Sequence, residues 1–313
     1  MTGRRDERLD TDFAPGRPVP LRAIIGSLRR GAGDPTWLQT GEGIWRACVT
    51  PEGPVSMLLR VDRTGVGDRV VARAHGPGSS WMLARLPSLL GADDPAHEFV
   101  PHHDVIAEAF AQQRDWRLGR TGLVIDALVP AIIEQRVTGK QAFGGYRMLV
   151  RRFGSPAPGP AADLGLRTPP SADGWAKIPS WEWLRAGVDA QRADTIMRAM
   201  RVAHALEKCA DLPREEAWKR LRSVPGIGVW TTAEVAQRAL GDADAVSFGD
   251  YHVAKDIGYA LTGRPVDDLQ LAELLKPYAG HRYRVQYLVN AAGLNRPRRG
   301  PRLSLPTHLP SRM

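Results

Sequence analysis

The stretch from Leu221 to Leu261, LRSVPGIGVWTTAEVAQRALGDADAVSFGDYHVAKDIGYAL, restricts this chain more than any other. A helical pattern closes before Val224, Pro225-Gly226-Ile227-Gly228 makes a tight turn, and Val229 to Leu240 opens a second helix. Two glycines permit the positive φ that residues with a Cβ avoid, and the apolar Ile227 between them is expected to tuck between the flanking helices. The unit is a helix-hairpin-helix. It can be read as an ordinary αα-hairpin, and more readily as a phosphate grip. In the second reading the turn offers backbone N–H groups without intrahelical partners, aligned with the positive end of a helix dipole, and glycine leaves the approach clear.

The second helix ends at Leu240-Gly241. The loop from Asp242 to Gly249 then leads to Asp250, and helix resumes with Tyr251-His252-Val253-Ala254-Lys255. A carboxylate at a helix start is most simply an N-cap. One hairpin-helix beyond a phosphate-gripping turn, it also reads as a functional acid.

Around this unit the chain divides into four parts. Residues 1–18 are polar, carry Pro and Gly, and are expected to be flexible. Residues 19–100 read as a small antiparallel-sheet α+β domain: Ile44 to Val49, Val55 to Val61 and Arg69 to Ala74 are β-rich runs separated by Pro51-Glu52-Gly53-Pro54 and Thr64–Asp68 turns. Ser79 to Leu90 reads as a helix packed on that sheet. Residues 101–294 are helical. Thr121 to Val137 carries Leu123, Ile125, Leu128, Ile132 and Ile133 at helical spacing with Pro130 as a kink, and Gln141 to Phe153 forms a further helix. The segments around Ser155–Pro160 and Thr168–Ser171 read as a connector. Residues 295–313, with five arginines and four prolines, read as a basic disordered tail. The expected fold class is therefore mostly α, with a two-part helical core containing the helix-hairpin-helix and a small α+β N-terminal domain.

Composition excludes some chemistries. Cys48 and Cys209 are the only cysteines, so the chain offers no four-cysteine zinc or iron–sulfur site, and this usage fits a reducing compartment. His102-His103 lacks ligand spacing with cysteine or carboxylates. No run of about 18 apolar residues suggests a membrane span, and the charged N-terminus does not read as a secretory signal. A net charge of +9 suits a polyanionic partner, and equally an Arg-rich soluble chain.

The residues Val224-Pro225-Gly226-Ile227-Gly228-Val229-Trp230-Thr231-Thr232-Ala233, then Asp244-Ala245-Val246, then Gly249-Asp250, together resemble the helix-hairpin-helix (HhH-GPD) DNA glycosylase superfamily. Within it they are most similar to bacterial 3-methyladenine DNA glycosylase II, the AlkA-like branch. The likeness extends more loosely to Ala131–Thr138 and to the strand-rich N-terminal part.

The resemblance implies a monofunctional glycosylase in base excision repair, hydrolysing the N-glycosidic bond of flipped alkylated purines such as 3-methyladenine in double-stranded DNA. It assigns Asp250 as the catalytic carboxylate facing C1′. Pro225, Gly226, Ile227 and Gly228 form the DNA grip. Gln135 and Arg136 align with the element that fills the gap left by the extruded base; Arg136 departs from the apolar residue usual there. Trp230 falls in the base pocket, where lyase members carry their lysine, so no Schiff-base chemistry is expected; Lys255 lies on the wrong side of Asp250. Glu234, one turn beyond Trp230, replaces an aromatic and implies an extra carboxylate in the pocket. The family hairpin often binds a monovalent cation, Na+ or K+, here through the backbone of Val224 and Ile227; no other cofactor is implied. A monomeric, cytoplasmic, nucleoid-associated protein without a membrane partner is expected. The competing readings are a non-catalytic helix-hairpin-helix DNA binder, and a glycosylase for another damaged or mismatched base.

Overall fold

The computed structural model describes residues 8–64 and 67–297. Its N-terminal part is a five-stranded antiparallel sheet of order β1-β5-β4-β3-β2. In chain order the elements are β1 (Arg8–Phe13), α1 (Leu21–Ile25), β2 (Trp37–Thr40), β3 (Gly43–Thr50), β4 (Gly53–Thr64), β5 (Gly67–His75), α2 (Ser79–Ala84) and α3 (Leu86–Leu89). The three β-rich runs of the sequence become β3, β4 and β5 of a meander, paired Ile44↔Leu59 and Leu59↔Ala72.

Two expectations change here. Residues 1–18 are not uniformly loose, because β1 pairs with β5 from Arg8↔His75 to Phe13↔Val70. Leu9 and Phe13 pack against the sheet core, while Asp10 and Asp12 reach Arg73 and Arg69 at the open edge. Charges placed this way discourage edge-to-edge association. The helix expected over Ser79–Leu90 is broken at Arg85, where Pro87 fixes the first turn of α3.

The helical part follows as α4 (Asp104–Gln112), α5 (Val124–Ile133), α6 (Gly139–Phe153), a short hairpin of β6 (Ser155–Pro156) and β7 (Arg167–Thr168), then α7 (Ala172–Ala176), α8 (Ser180–Arg185), α9 (Ala190–Arg201), α10 (Ala203–Glu207), α11 (Arg214–Arg222), α12 (Val229–Val235), α13 (Val253–Thr262), α14 (Asp268–Leu274) and α15 (Arg282–Ala291). The architecture is mostly helical with a small sheet. The connector is ordered: Ala157, Ala161 and Leu166 pack on the back of the sheet against Trp45, Ala47 and Leu58. The tail expected at 295–313 lies outside the described residues from 298 onward, and Arg296 Nε donates to Asp256 Oδ1 at 3.0 Å.

The central helix is α5. Apart from Asp126 all its residues are buried, as a helix apolar on every side must be. It is shorter than its periodicity suggests. At its start, the Glu207 carboxylate accepts the N–H groups of Val124 and Ile125 at 2.8 and 3.0 Å. At its end, Glu134 caps the helix and Arg136 turns the chain away with φ +56°, the one positive φ outside glycine among the described residues. The next helix, α6, begins with a capping box of Thr138 and Gln141.

Candidate active site

The hairpin joins α11 to α12 as the sequence suggests, with Ile227 buried between the helices and Pro225, Gly226 and Gly228 exposed. The two glycines differ, however. Gly226 adopts φ +98°, and a Cβ on it would meet the Thr195 hydroxyl oxygen at 2.2 Å. Gly228 is extended backbone at φ −93° and ψ −173°, and a Cβ there would meet nothing within 4 Å. Only the first glycine is demanded by the fold; the second keeps the surface over the first turn of α12 bare.

Gln135 reaches across from the end of α5. Its Nε2 donates to the Gly226 carbonyl at 3.0 Å and to Thr231 Oγ1 at 2.8 Å. The end of α5 and the hairpin turn are thus tied together. Arg136 beside it is exposed and makes no hydrogen bond or ion pair among the described residues. The same residue carries the left-handed backbone conformation noted above, which costs local strain.

Asp250 lies beside this grip. Trp230 Nε1, on the first turn of α12, donates to Asp250 Oδ2 at 3.1 Å. The backbone N–H groups of His252 and Val253 donate to Oδ1 at 2.7 and 3.2 Å. The carboxylate is therefore a helix cap and is also held against the hairpin helix, partly exposed, with three donors fixing its orientation. The loop that carries it is clamped by its own acids. Asp242 accepts from Trp218 Nε1 at 3.0 Å and from Arg214 Nε at 2.7 Å. Asp244 pairs with Arg282 and caps α15 through the Gly280 and Arg282 amides at 3.0 and 3.1 Å. Burial alone would raise the Asp244 carboxyl, but these bonds to Arg282 outweigh it and hold the group below its ordinary range.

Glu234 is placed differently from expectation. It is buried, with Oε2 on Arg238 Nη1 at 2.6 Å and Oε1 accepting from the Ser247 hydroxyl at 2.6 Å. Its charge is thus answered from within the protein. Arg238 lies in a π-helical turn over Ala236–Leu240, closed by Gly241 at φ +66°, that follows α12. Wider turns of this sort are common near functional sites. Arg238 also donates to the Ser27 carbonyl at 3.1 Å, so residues after α1 border the site. Arg30 comes from the same stretch and meets Glu134 at 3.3 Å. Sequence reasoning missed Arg30, Glu134 and Arg238: an arginine some hundred residues upstream carries no local signal of where it lands.

The other sequence candidates resolve as follows. Lys255 stacks over the Tyr251 ring at 3.7 Å. His103 Nδ1 lies 2.7 Å from the Tyr278 hydroxyl, a packing role. Some backbone carbonyls of the hairpin are already engaged within the protein. Val224 already accepts the Ile227 amide at 3.0 Å, and the Arg198 guanidinium sits on the Pro225 carbonyl at 3.3 Å, adding positive charge to the same turn. A cavity of about 690 Å³ opens on the far side of α5, lined by Trp81, Asp126, Tyr146 and Glu207 among others, and touches neither Asp250 nor Trp230.

No protein-family model matches the sequence, and no curated protein does. Solved structures do. A 3-methyladenine DNA glycosylase from Archaeoglobus fulgidus is similar with a TM-score of 0.70 and 20% identity, over 90% of this chain and 97% of that one. The Clostridium acetobutylicum 8-oxoguanine glycosylase/lyase, in complex with double-stranded DNA containing cytosine opposite 8-oxoguanine, matches with a TM-score of 0.65 and 13% identity over 92% and 97%. MBOgg1 in complex with a low-affinity DNA ligand gives 0.66 and 15% over 91% and 95%. At these identities the likeness is one of fold, and it spans the sheet as well as the helices.

Proposed function

We propose that this chain, built on the helix-hairpin-helix DNA glycosylase fold, is a monofunctional DNA glycosylase that removes damaged purines, alkylated ones such as 3-methyladenine among them. The observation that carries this reading is the Asp250 carboxylate held by Trp230 against the helix leaving the hairpin. A hairpin that grips the phosphodiester strand and an acid fixed beside it are the two parts the chemistry needs. Breaking the bond between C1′ and the base develops positive charge on the sugar, as in other oxocarbenium-like glycoside cleavages. A pre-oriented anion stabilises that charge and also orients the attacking water. Trp230 supplies a ring on which an electron-poor alkylated base can stack. It occupies the place of the lyase lysine, and Lys255 is engaged with Tyr251, which supports hydrolysis without strand cleavage. Exposed Arg136 and the Gln135 bridge to Gly226 support a role for both in holding the emptied duplex. No helix among the described residues is long and apolar enough to cross a membrane.

Asp250 also caps α13, which favours a second reading in which the protein binds DNA through the hairpin and cuts nothing. Asp250→Asn separates the two, because asparagine caps a helix about as well as aspartate but lacks the charge. In duplexes carrying alkylated, deaminated or oxidised bases, base release followed by chromatography is expected to fall at least about 100-fold, about 2.7 kcal/mol of transition-state stabilisation. DNA affinity is expected to stay within about threefold. Wild-type protein that binds DNA and releases no base refutes the enzymatic reading, and strand nicking without added base refutes its monofunctional part.

A further inference from the structure

The site holds a second carboxyl that the hydrolysis above does not use. Glu134 caps the C-terminal end of α5, immediately before the Gln135 that binds the hairpin. Four charged groups act on it electrostatically, the carboxyls of Glu234 and Asp250 and the guanidiniums of Arg30 and Arg238. Three carboxyls face two guanidiniums, so one negative charge is in excess when all are ionised. The three are not equally held. Asp250 accepts three N–H donors. Glu234 has Arg238 and Ser247, each at 2.6 Å. Glu134 has one contact, Arg30 Nη1 to Oε1 at 3.3 Å, and its other oxygen is not among the sealed, unpartnered atoms of the structure. The side chain is 18% exposed, partly buried with one oxygen accessible. Of the three, Glu134 is the least anchored by hydrogen bonds, and one of its oxygens is open to a partner from outside.

We propose that Glu134 donates a proton to the departing base in this site, so that the enzyme releases uncharged damaged purines as well as alkylated cations. The proposal rests on the glycosylase reading and deepens it. A purine alkylated at N3 or N7 already carries positive charge and leaves as a neutral molecule. An uncharged purine departs as an anion unless a proton reaches it. In the proposed step the C1′–N9 bond breaks with its electron pair going to the base, and the Glu134 carboxyl proton goes to a ring nitrogen of that base. Water oriented by Asp250 adds to C1′ and releases its proton to solvent, and Glu134 is reprotonated from solvent. The sum is one water consumed, with hydroxyl on the sugar and hydrogen on the base. The electrostatics agree with the geometry. Burial raises the Glu134 carboxyl above its ordinary range; Arg30 and Arg238 pull it back, and Glu234 and Asp250 push it further up. A carboxyl raised by its surroundings is the kind of group that serves as a general acid.

The test compares wild type and Glu134→Gln on two duplexes, one with deoxyinosine and one with 7-methyldeoxyguanosine, following release of hypoxanthine and of 7-methylguanine across pH. A positioned general acid contributes on the order of 10²–10⁴-fold. The ratio of hypoxanthine to 7-methylguanine release is therefore expected to fall about 100-fold or more in Glu134→Gln. In wild type, hypoxanthine release is expected to decline as pH rises through the raised Glu134 value, and that decline is expected to vanish in the variant. An equal loss on both duplexes, an unchanged ratio, or a wild-type protein that releases 7-methylguanine but no hypoxanthine overturns the proposal. Release of neither base by wild type overturns the glycosylase reading itself, and undiminished release of both by Asp250→Asn overturns the role given to Asp250.

Discussion

The two hairpin glycines look alike in sequence and predict opposite outcomes when each is given a side chain. A Cβ at Gly226 has to be held at φ +98° and lies 2.2 Å from Thr195 Oγ1, 2.8 Å from its Cγ2 and 3.0 Å from its Cβ. The backbone conformation costs about 1–2 kcal/mol. Thr195 is buried and its hydroxyl already donates to the Gln191 carbonyl at 2.8 Å, so it cannot swing clear, and overpacking adds about 1–3 kcal/mol. Gly226→Ala is thus expected to cost about 2–5 kcal/mol, roughly 4–20 °C in melting temperature at about 2–4 °C per kcal/mol. Gly228→Ala, with ordinary φ and open space, is expected to change stability by less than about 0.5 kcal/mol. The stability assay is thermal unfolding of purified variants. The functional partner is Gly228→Leu, which is expected to fold normally yet weaken binding to damaged and undamaged duplexes alike by about tenfold, read by fluorescence anisotropy, because the contact is to backbone phosphates. A Gly226→Ala protein that melts with wild type refutes the steric reasoning, and a Gly228→Leu protein with undiminished affinity refutes the grip.

Arg136→Gly is expected to raise stability by about 0.5–1 kcal/mol by relieving the positive φ, measured by urea unfolding, while lowering affinity for duplex DNA; a loss of stability contradicts the strain assignment. The Asp244 carboxyl, lowered by Arg282 against the effect of burial, stabilises the fold above its unfolded value near 3.8, and this contribution disappears as pH falls through the lower folded value. Asp244→Asn is accordingly expected to lose stability at pH 7 and to show a weaker acid dependence than wild type below pH 4; parallel acid profiles refute the assignment. Burial pushes the Cys48 thiol up to about 12, so Cys48 is expected to react with a thiol reagent only on unfolding, and rapid labelling of the native protein at pH 8 contradicts this.

What was legible in the sequence was whatever local pattern encodes. Alternation and glycine turns placed β3, β4 and β5, and the hairpin motif located α11, α12 and Asp250 together. The misses share a cause. Strand β1 is short, charged and stable only because β5 offers it an edge, a partner sixty residues away. The helix around Pro130 ends where Glu207 and Arg136 stop it, and neither limit is written in its apolar spacing. Glu234 reads as a pocket acid from its spacing to Trp230; Arg238 stands at the ordinary i,i+4 helical spacing and was a legible partner, whereas Ser247 depends on how the following loop folds back. Gly228 seemed interchangeable with Gly226 because residue type says nothing about which φ the chain will need.

Ala243 and Tyr283, which flank the acid-clamped loop leading to Asp250, are buried in the same apolar cluster as Met57, Leu59 and Val70 of the sheet. The N-terminal layer therefore acts as a buttress for the segment that leads to Asp250, not as a detachable appendage. A version of this protein trimmed to its helices, or a chimera wearing another protein's sheet, would inherit the hairpin intact and lose the wall against which that segment is braced.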